Sequence, residues 1–172
     1  MKQLILGGAR SGKSALAESL ARASGLAVSY VATAGADDAE MAERIARHRA
    51  RRSPDWQLIE ERQALAAALR RAAAPDRCVV VDCLTLWLSN LLDEPAAPER
   101  WPRERSALLD ALPGLPGSVI LVSNEVGAGV VPANALARRF RDEAGRLHQD
   151  LAAVCDRVTL VVAGLPLHLK GG

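Results

Sequence analysis

The stretch Leu4-Ile5-Leu6-Gly7-Gly8-Ala9-Arg10-Ser11-Gly12-Lys13-Ser14 decides how the rest of the chain is read. Its apolar start fits a buried strand, its second half matches G-x-x-x-x-G-K-[ST], and the alanine- and leucine-rich residues from Ala15 to Ala23 predict a helix. Strand, loop and helix in that order make a phosphate-binding loop, rather than a glycine-rich turn ahead of a structural helix. Residues Gly7, Gly8, Ala9, Arg10, Ser11 and Gly12 are expected to turn backbone N–H groups onto phosphate oxygens, with the helix N-terminus adding its dipole to the same anion. Lys13 is expected to reach the β- and γ-phosphates, and the Ser14 hydroxyl to ligate Mg²⁺. Lysine is otherwise found only at Lys2 and Lys170 in a chain with 22 basic residues. A lysine kept at position 13 points to a need for a slim ammonium there.

The 172 residues, 49% of them hydrophobic, predict one domain spanning 1–172 with a continuous core. A net charge of +2 with only 3% aromatic residues leaves little for bases to stack on and argues against nucleic-acid binding. No apolar run approaches the length of a membrane span, and the apolar N-terminus leads into the phosphate loop instead of a cleavage site, so a cytoplasmic protein is expected. Cys78, Cys83 and Cys155 are odd in number and lack C-x-x-C spacing, which predicts reduced, packed thiols.

Beyond the first helix, Leu26 to Thr33 reads as a buried strand ending in a Thr33-Ala34-Gly35 loop. Asp37 and Asp38 can cap a helix from Ala39 to Arg52 that has a narrow apolar stripe of Met41 and Ile45. Asp55 to Glu60 reads as a short edge strand, Ala64 to Ala74 as a helix, and Arg77 to Asp82 as a fully apolar strand with an acid at its C-terminal end. Leu84 to Leu92 is expected to be helical and Asp93 to Pro98 a surface loop, with a further helix from Glu99 to Leu112. Ser118 to Ser123 is another buried strand, followed by the loop Asn124-Glu125-Val126-Gly127-Ala128-Gly129, a long helix from Pro132 towards Cys155, and a final strand from Arg157 to Ala163. This alternation predicts a doubly wound, mostly parallel α/β sheet. Such sheets bind ligands beyond the carboxyl ends of their strands, so Gly7, Thr33, Asp82, Glu125 and Gly164 are expected to rim one crevice.

Val79-Val80-Val81-Asp82 has the form of a Walker B strand, whose terminal carboxylate helps hold Mg²⁺ against the phosphate-loop hydroxyl; the alternative is an acid that caps the next turn. Glu125 follows a second apolar strand and reads as a general base, a metal neighbour or a loop acid. In the charged helix, His48 lies four residues from both Arg44 and Arg52 and three from Arg51, so the four side chains share one face. Guanidiniums around an imidazole keep it neutral, as a nucleophilic nitrogen must be, and can clamp a triphosphate. Taken alone, the same pattern is also that of a solvated helix face.

Taken together, the segments Gly7 to Ser14, Val31-Ala32-Thr33, Glu40 to Ile45 with His48-Arg49, Asn124 to Pro132, Arg138 to Asp142 and Gly145-Arg146 make the chain resemble, over essentially its full length, the bifunctional adenosylcobinamide kinase/adenosylcobinamide-phosphate guanylyltransferases of cobalamin biosynthesis. The resemblance implies a RecA-like P-loop NTPase fold, a homotrimer, and two reactions that use ATP and GTP. A nucleoside triphosphate phosphorylates the hydroxyl of adenosylcobinamide. GTP then loads GMP onto a histidine, which passes it to the new phosphate and yields adenosylcobinamide-GDP. His48 matches the guanylylated position, and the resemblance adds Thr33 and Glu60 to Arg44, Arg51, Arg52 and Asp82 as nucleotide-binding residues. His148 stands where relatives carry an amide, and His168 reads as a surface residue. The competing readings are a small-molecule P-loop kinase with the arginine helix as a lid, and a nucleotide-gated binding module.

Overall fold

The computed structural model describes residues 1–35, 53–93 and 96–171. Among these, seven strands form one sheet in the order β3-β2-β4-β5-β1-β6-β7. β1 (Lys2–Gly7), β2 (Ala27–Ala32), β3 (Gln57–Glu60), β4 (Arg77–Asp82), β5 (Ser118–Asn124) and β6 (Arg157–Val162) are parallel, and β7 (Leu165–Lys170) returns antiparallel beside β6. The described helices are α1 (Lys13–Ala23), α2 (Leu65–Ala72), α3 (Leu84–Leu92), α4 (Ala97–Ala111) and α5 (Ala135–Val154).

The central strands are apolar at nearly every position because both faces are covered. Ile5, Val80 and Val122 pack with Ala17 and Ala21 of α1 on one face. Their neighbours Leu4, Val79, Val81 and Leu121 pack on the other face with Leu65, Leu88, Leu108 and Leu147, one from each of α2 to α5. This is the doubly wound, RecA-like arrangement of a P-loop NTPase. From β1 the chain crosses through α1 to β2, towards the β3 edge, whereas from β5 it crosses through α5 to β6, towards the opposite edge. The crossovers diverge at the β1–β5 boundary, and open α/β sheets place their ligands at such a switch point.

Several expected boundaries move. α1 begins at Lys13, two residues before the expected Ala15, because Gly12 takes a left-handed conformation (φ 99°) and starts the helix there. The helix expected over Ala64 to Ala74 spans Leu65–Ala72. Ala97 and Pro98, expected in a loop, form the first turn of α4, where proline's missing N–H costs nothing; Glu94 and Pro95 lie outside the described residues. The helix expected over Ala39 to Arg52 also lies outside them. The expected last strand ends at Val162, and β7, which was not expected, follows an Ala163-Gly164 turn in which both residues have positive φ. Pro166 argues against a strand in the sequence, yet β7 is the edge of the sheet, where proline is tolerated.

Trp87 anchors the α3 layer. It is fully buried, meets Trp101 edge-on with centroids 5.3 Å apart, and its Nε1 donates to the Gln63 carbonyl at 2.7 Å. Trp87→Ala leaves a large cavity and an unpaired carbonyl, and is expected to lower the unfolding free energy by about 4 kcal/mol, read from urea denaturation followed by circular dichroism.

Candidate active site

The loop from Gly7 to Lys13 is closed by short-range backbone contacts and braced from outside. Ser11 N donates to Gly8 O at 3.3 Å, and Gly164 N, in the β6–β7 turn, donates to Ser11 O at 2.8 Å. A Cβ on Gly7 would lie 2.7 Å from the Val161 carbonyl oxygen and closer still to Ser11 Oγ. A Cβ on Gly12 would meet Gly164 Cα at 3.2 Å. Glycine is therefore required at both positions by close backbone approach, and at Gly12 also by its positive φ. Arg10 holds a φ of 56°, a conformation that costs an ordinary residue about 1 kcal/mol and tends to occur at functional sites.

The cradle is chemically suited to an anion. The buried Ser11 Oγ makes no hydrogen bond among the described residues. The nearly buried Lys13 ammonium donates to the Gly8 carbonyl at 3.0 Å, inside the loop itself. The first turn of α1 presents its N-terminal N–H groups with no side-chain cap at Gly12. Ser14 stands on that first turn, half-buried, while Gly8, Ala9 and Arg10 are exposed at the tip.

The neighbouring strand ends carry the acids. Ala32 of β2 is in register with both Glu60 of β3 and Asp82 of β4, so these two carboxylates flank one strand end. Asp82 is half-buried, and its Oδ2 accepts from the Tyr30 hydroxyl at 2.8 Å. Glu60 is exposed. The oxygen-only pair of Ser14 and Asp82 fits a hard cation such as Mg²⁺, which takes one or two protein ligands and completes its shell with phosphate and water.

Thr33, expected among the nucleotide-binding residues, has its side chain engaged within the protein. It is fully buried; its hydroxyl donates to the Cys83 carbonyl at 2.7 Å and accepts from Cys83 N at 2.9 Å, and its own carbonyl accepts from Asn90 Nδ2 at 2.9 Å. Thr33 staples the end of β2 to the turn after Asp82. The same turn is held from the other side, where Asn124 Nδ2 donates to Thr85 Oγ1 at 2.8 Å and Thr85 Oγ1 lies 3.1 Å from Cys83 Sγ.

Beyond β5, Glu125 N donates to Gly7 O at 3.0 Å, which ties the loop after β5 to the start of the phosphate loop. Its Oε1 accepts from Gly127 N at 2.6 Å. His148 of α5 approaches from behind with Nε2 2.7 Å from Ser123 Oγ and Nδ1 3.9 Å from Glu125 Oε2. Burial pushes the His148 imidazole below its usual value, and Glu125 acts in the opposite direction. With only 7% exposure, His148 is a poor candidate for a nucleophile that must meet a nucleotide. His168 is exposed on β7, with Nδ1 3.2 Å from Thr159 Oγ1. His48, Arg44, Arg51 and Arg52 lie outside the described residues. All three cysteines are buried free thiols, and burial raises that of Cys155 to about 11.

Sequence reasoning did not single out Tyr30, Ser123 or Asn124. Tyr30 could have been found from its place two residues before a strand end. Ser123 reads in sequence as the end of a buried strand and Asn124 as the start of the loop after it, and neither position announces its hydrogen-bond partner.

Residues 3–169 match the family model described as cobinamide kinase / cobinamide phosphate guanyltransferase. The chain belongs to this family. Within the cobinamide kinase/guanyltransferase family, a Pseudomonas aeruginosa protein named bifunctional adenosylcobalamin biosynthesis protein CobP is 62% identical over 99% of this chain and 98% of its own length. The protein named bifunctional adenosylcobalamin biosynthesis protein CobU from Escherichia coli is 40% identical over 99% of this chain and all of its own length. Among solved structures, the RadB recombinase superposes with a TM-score of 0.51 at 19% identity, covering 92% of this chain and 73% of its own. The P4 protein of bacteriophage phi6 in complex with ADP superposes with a TM-score of 0.52 at 18% identity over 96% of this chain, which spans about half (53%) of the P4 chain. These likenesses concern the fold. No helix among the described residues is long and apolar enough to cross a membrane.

Gly7→Ala pushes a methyl group into the Val161 carbonyl and the Ser11 side chain. It is expected to weaken binding of a fluorescent nucleoside triphosphate at least tenfold while leaving the far-UV spectrum of the sheet unchanged.

Proposed function

We propose that this chain carries both reactions of its family in a single cytoplasmic domain. ATP or GTP phosphorylates the hydroxyl of adenosylcobinamide, and GMP from GTP is then carried by His48 to the new phosphate, giving adenosylcobinamide-GDP. The observation that carries this reading is a braced phosphate loop with its lysine in place, inside a chain that matches the bifunctional family over 3–169. Backbone N–H groups of residues 8–14 and the Lys13 ammonium would bind the β- and γ-phosphates and offset the charge that spreads over the transferring phosphoryl group. Ser14 and Asp82 would hold Mg²⁺, which when bound supplies charge neutralisation on the phosphates. Glu60, at the end of β3 beside Ala32, would contact the rest of the nucleotide.

For the second reaction, His48 attacks the α-phosphorus of GTP, forming an N–P bond as the bond to pyrophosphate breaks, and the GMP later passes to the cobinamide phosphate. Arg44, Arg51 and Arg52 would neutralise the triphosphate and the departing pyrophosphate. The reading is supported by the placement of the other two histidines, one buried against Ser123 and one on the far edge strand. Lys13→Ala is expected to lower phosphoryl transfer to cobinamide by a factor of hundreds. His48→Asn is expected to retain no label from α-labelled GTP after denaturation, yet still to phosphorylate cobinamide. The wild-type adduct should be labile in mild acid and stable in base. A label that persists in the His48→Asn protein would sink the histidine assignment.

We also place the chain in a homotrimer. Leu165, Leu167 and Leu169 alternate along the edge strand β7 and therefore share one face, and they are 72%, 55% and 57% exposed. Val162, the register partner of Leu165, extends the patch and is 58% exposed. An apolar strip on an edge strand is a surface that proteins normally cover. Leu167→Glu puts a charge in its centre, and sedimentation is expected to show the wild type as a trimer and the variant as smaller species; a monomeric wild type would overturn the proposal.

A further inference from the structure

The kinase step needs a group to take the proton of the acceptor hydroxyl, and the residues discussed above for phosphate binding do not include one. Lys13 is a cation, and Asp82 accepts from the Tyr30 hydroxyl and is assigned above to the metal. Glu125 occupies the position between them. β5 lies between β4, which ends in Asp82, and β1, which ends in the phosphate loop, and Glu125 is hydrogen-bonded through its own N–H to Gly7 O. Its side chain is 35% exposed, so it reaches the surface, and its backbone lies at the carboxyl end of β5, the end on which the sheet binds its ligand.

The carboxylate is also held. Oε1 is fixed by the Gly127 N–H, and Oε2 faces the His148 ring. Ser123 is fully buried, and its hydroxyl partner is His148 Nε2. With the Ser123 hydroxyl donating to Nε2, the neutral ring carries its proton on Nδ1, 3.9 Å from Glu125 Oε2, a proximity rather than a hydrogen bond. A buried serine and a buried histidine, both costly to place in a core, are thus spent on orienting one carboxylate at the switch point.

Building on the kinase reading, we infer that Glu125 is the general base of phosphoryl transfer and that His148 is a positioning residue for it. The acceptor hydroxyl oxygen forms its bond to the γ-phosphorus as the bond from that phosphorus to the β–γ bridging oxygen breaks. The nucleoside diphosphate leaves with that electron pair, and the hydroxyl proton passes to the Glu125 carboxylate.

The test is steady-state phosphorylation of cobinamide by the full chain at saturating Mg²⁺ and nucleotide. Glu125→Gln keeps shape and loses basicity, and should lower kcat by about two to four orders of magnitude, with the nucleotide KM changed less than about threefold. Its Mg²⁺ requirement should match the parent's; a tenfold higher requirement would make Glu125 a metal neighbour and overturn the base role. At position 148 an asparagine amide can stand where Nδ1 stands and a glutamine amide where Nε2 stands. His148→Asn should therefore keep kcat within about fivefold, whereas His148→Gln, which retains the Ser123 contact and loses Glu125, should lose about ten- to a hundredfold. In the Glu125→Gln background the two should be equal, a non-additivity that a merely structural histidine does not produce.

Parental kcat in Glu125→Gln, or His148→Gln outperforming His148→Asn, would overturn the inference while leaving the kinase reading intact. A wild-type chain that transfers no phosphoryl group would remove both. Melting temperatures identify a position-148 variant that has lost its fold, in which case the half-exposed Glu125→Gln decides alone.

Discussion

A triphosphate can be held by main-chain N–H groups only if the backbone reaches it without side chains in the way, and this constraint shapes the structure around residues 7–14. At Gly7 a methyl group would strike β6, and at Gly12 the Ala163-Gly164 turn. The loop is therefore packed as tightly against its own sheet as a core residue would be, and its exposed face is left for the ligand. The hydrogen bond from Gly164 N to Ser11 O makes the β6–β7 hairpin part of the phosphate loop's support. A hairpin remote from the phosphate loop in the order of the chain is adjacent to it in space.

Most of the sheet was legible in the sequence because a parallel strand covered on both faces has to be apolar throughout, and Leu4 to Leu6, Val79 to Val81 and Val119 to Val122 all are. The phosphate loop was legible because its geometry demands glycines at fixed spacing. β7 was not, since Leu165, Leu167 and Leu169 alternate as a strand should, but Pro166 interrupts the pattern and only the strand's place at the edge of the sheet makes that proline acceptable. Thr33 was legible as a strand end, but the staple that its side chain makes was not. A threonine that contacts a ligand and one that staples two strand ends have the same local sequence, and only the cross-chain partner, Cys83, separates them. The same holds for Ser123 and His148, which lie 25 residues apart and whose pairing no periodicity announces.

The crevice is bounded by two different kinds of support. On the β2–β4 side, polar staples do the work: Thr33 to Cys83, Asn90 to Thr33, Asn124 to Thr85. Each uses a buried group whose partner is supplied within the protein, so none adds the desolvation penalty of an orphan. On the β1–β6 side, steric contact between glycines and backbone does it. The first kind fixes the turn that follows Asp82, and the second fixes the shape of an anion cradle.

Glu125 stands where the two kinds of support meet. Its backbone belongs to the cradle through Gly7, and its side chain belongs to a polar set through Gly127, with His148 and Ser123 behind it. Catalysis by positioned charge depends on groups that need little reorganisation when the reacting atoms arrive. A carboxylate on a free loop would spend binding energy on being ordered, whereas one tethered at its backbone and at one oxygen, with a neutral imidazole beside the other, has that ordering built into folding. The polar residues buried beneath β5 are then explained as a cost borne by the core for the precision of a single surface acid, in a region where valine or leucine would have packed more cheaply.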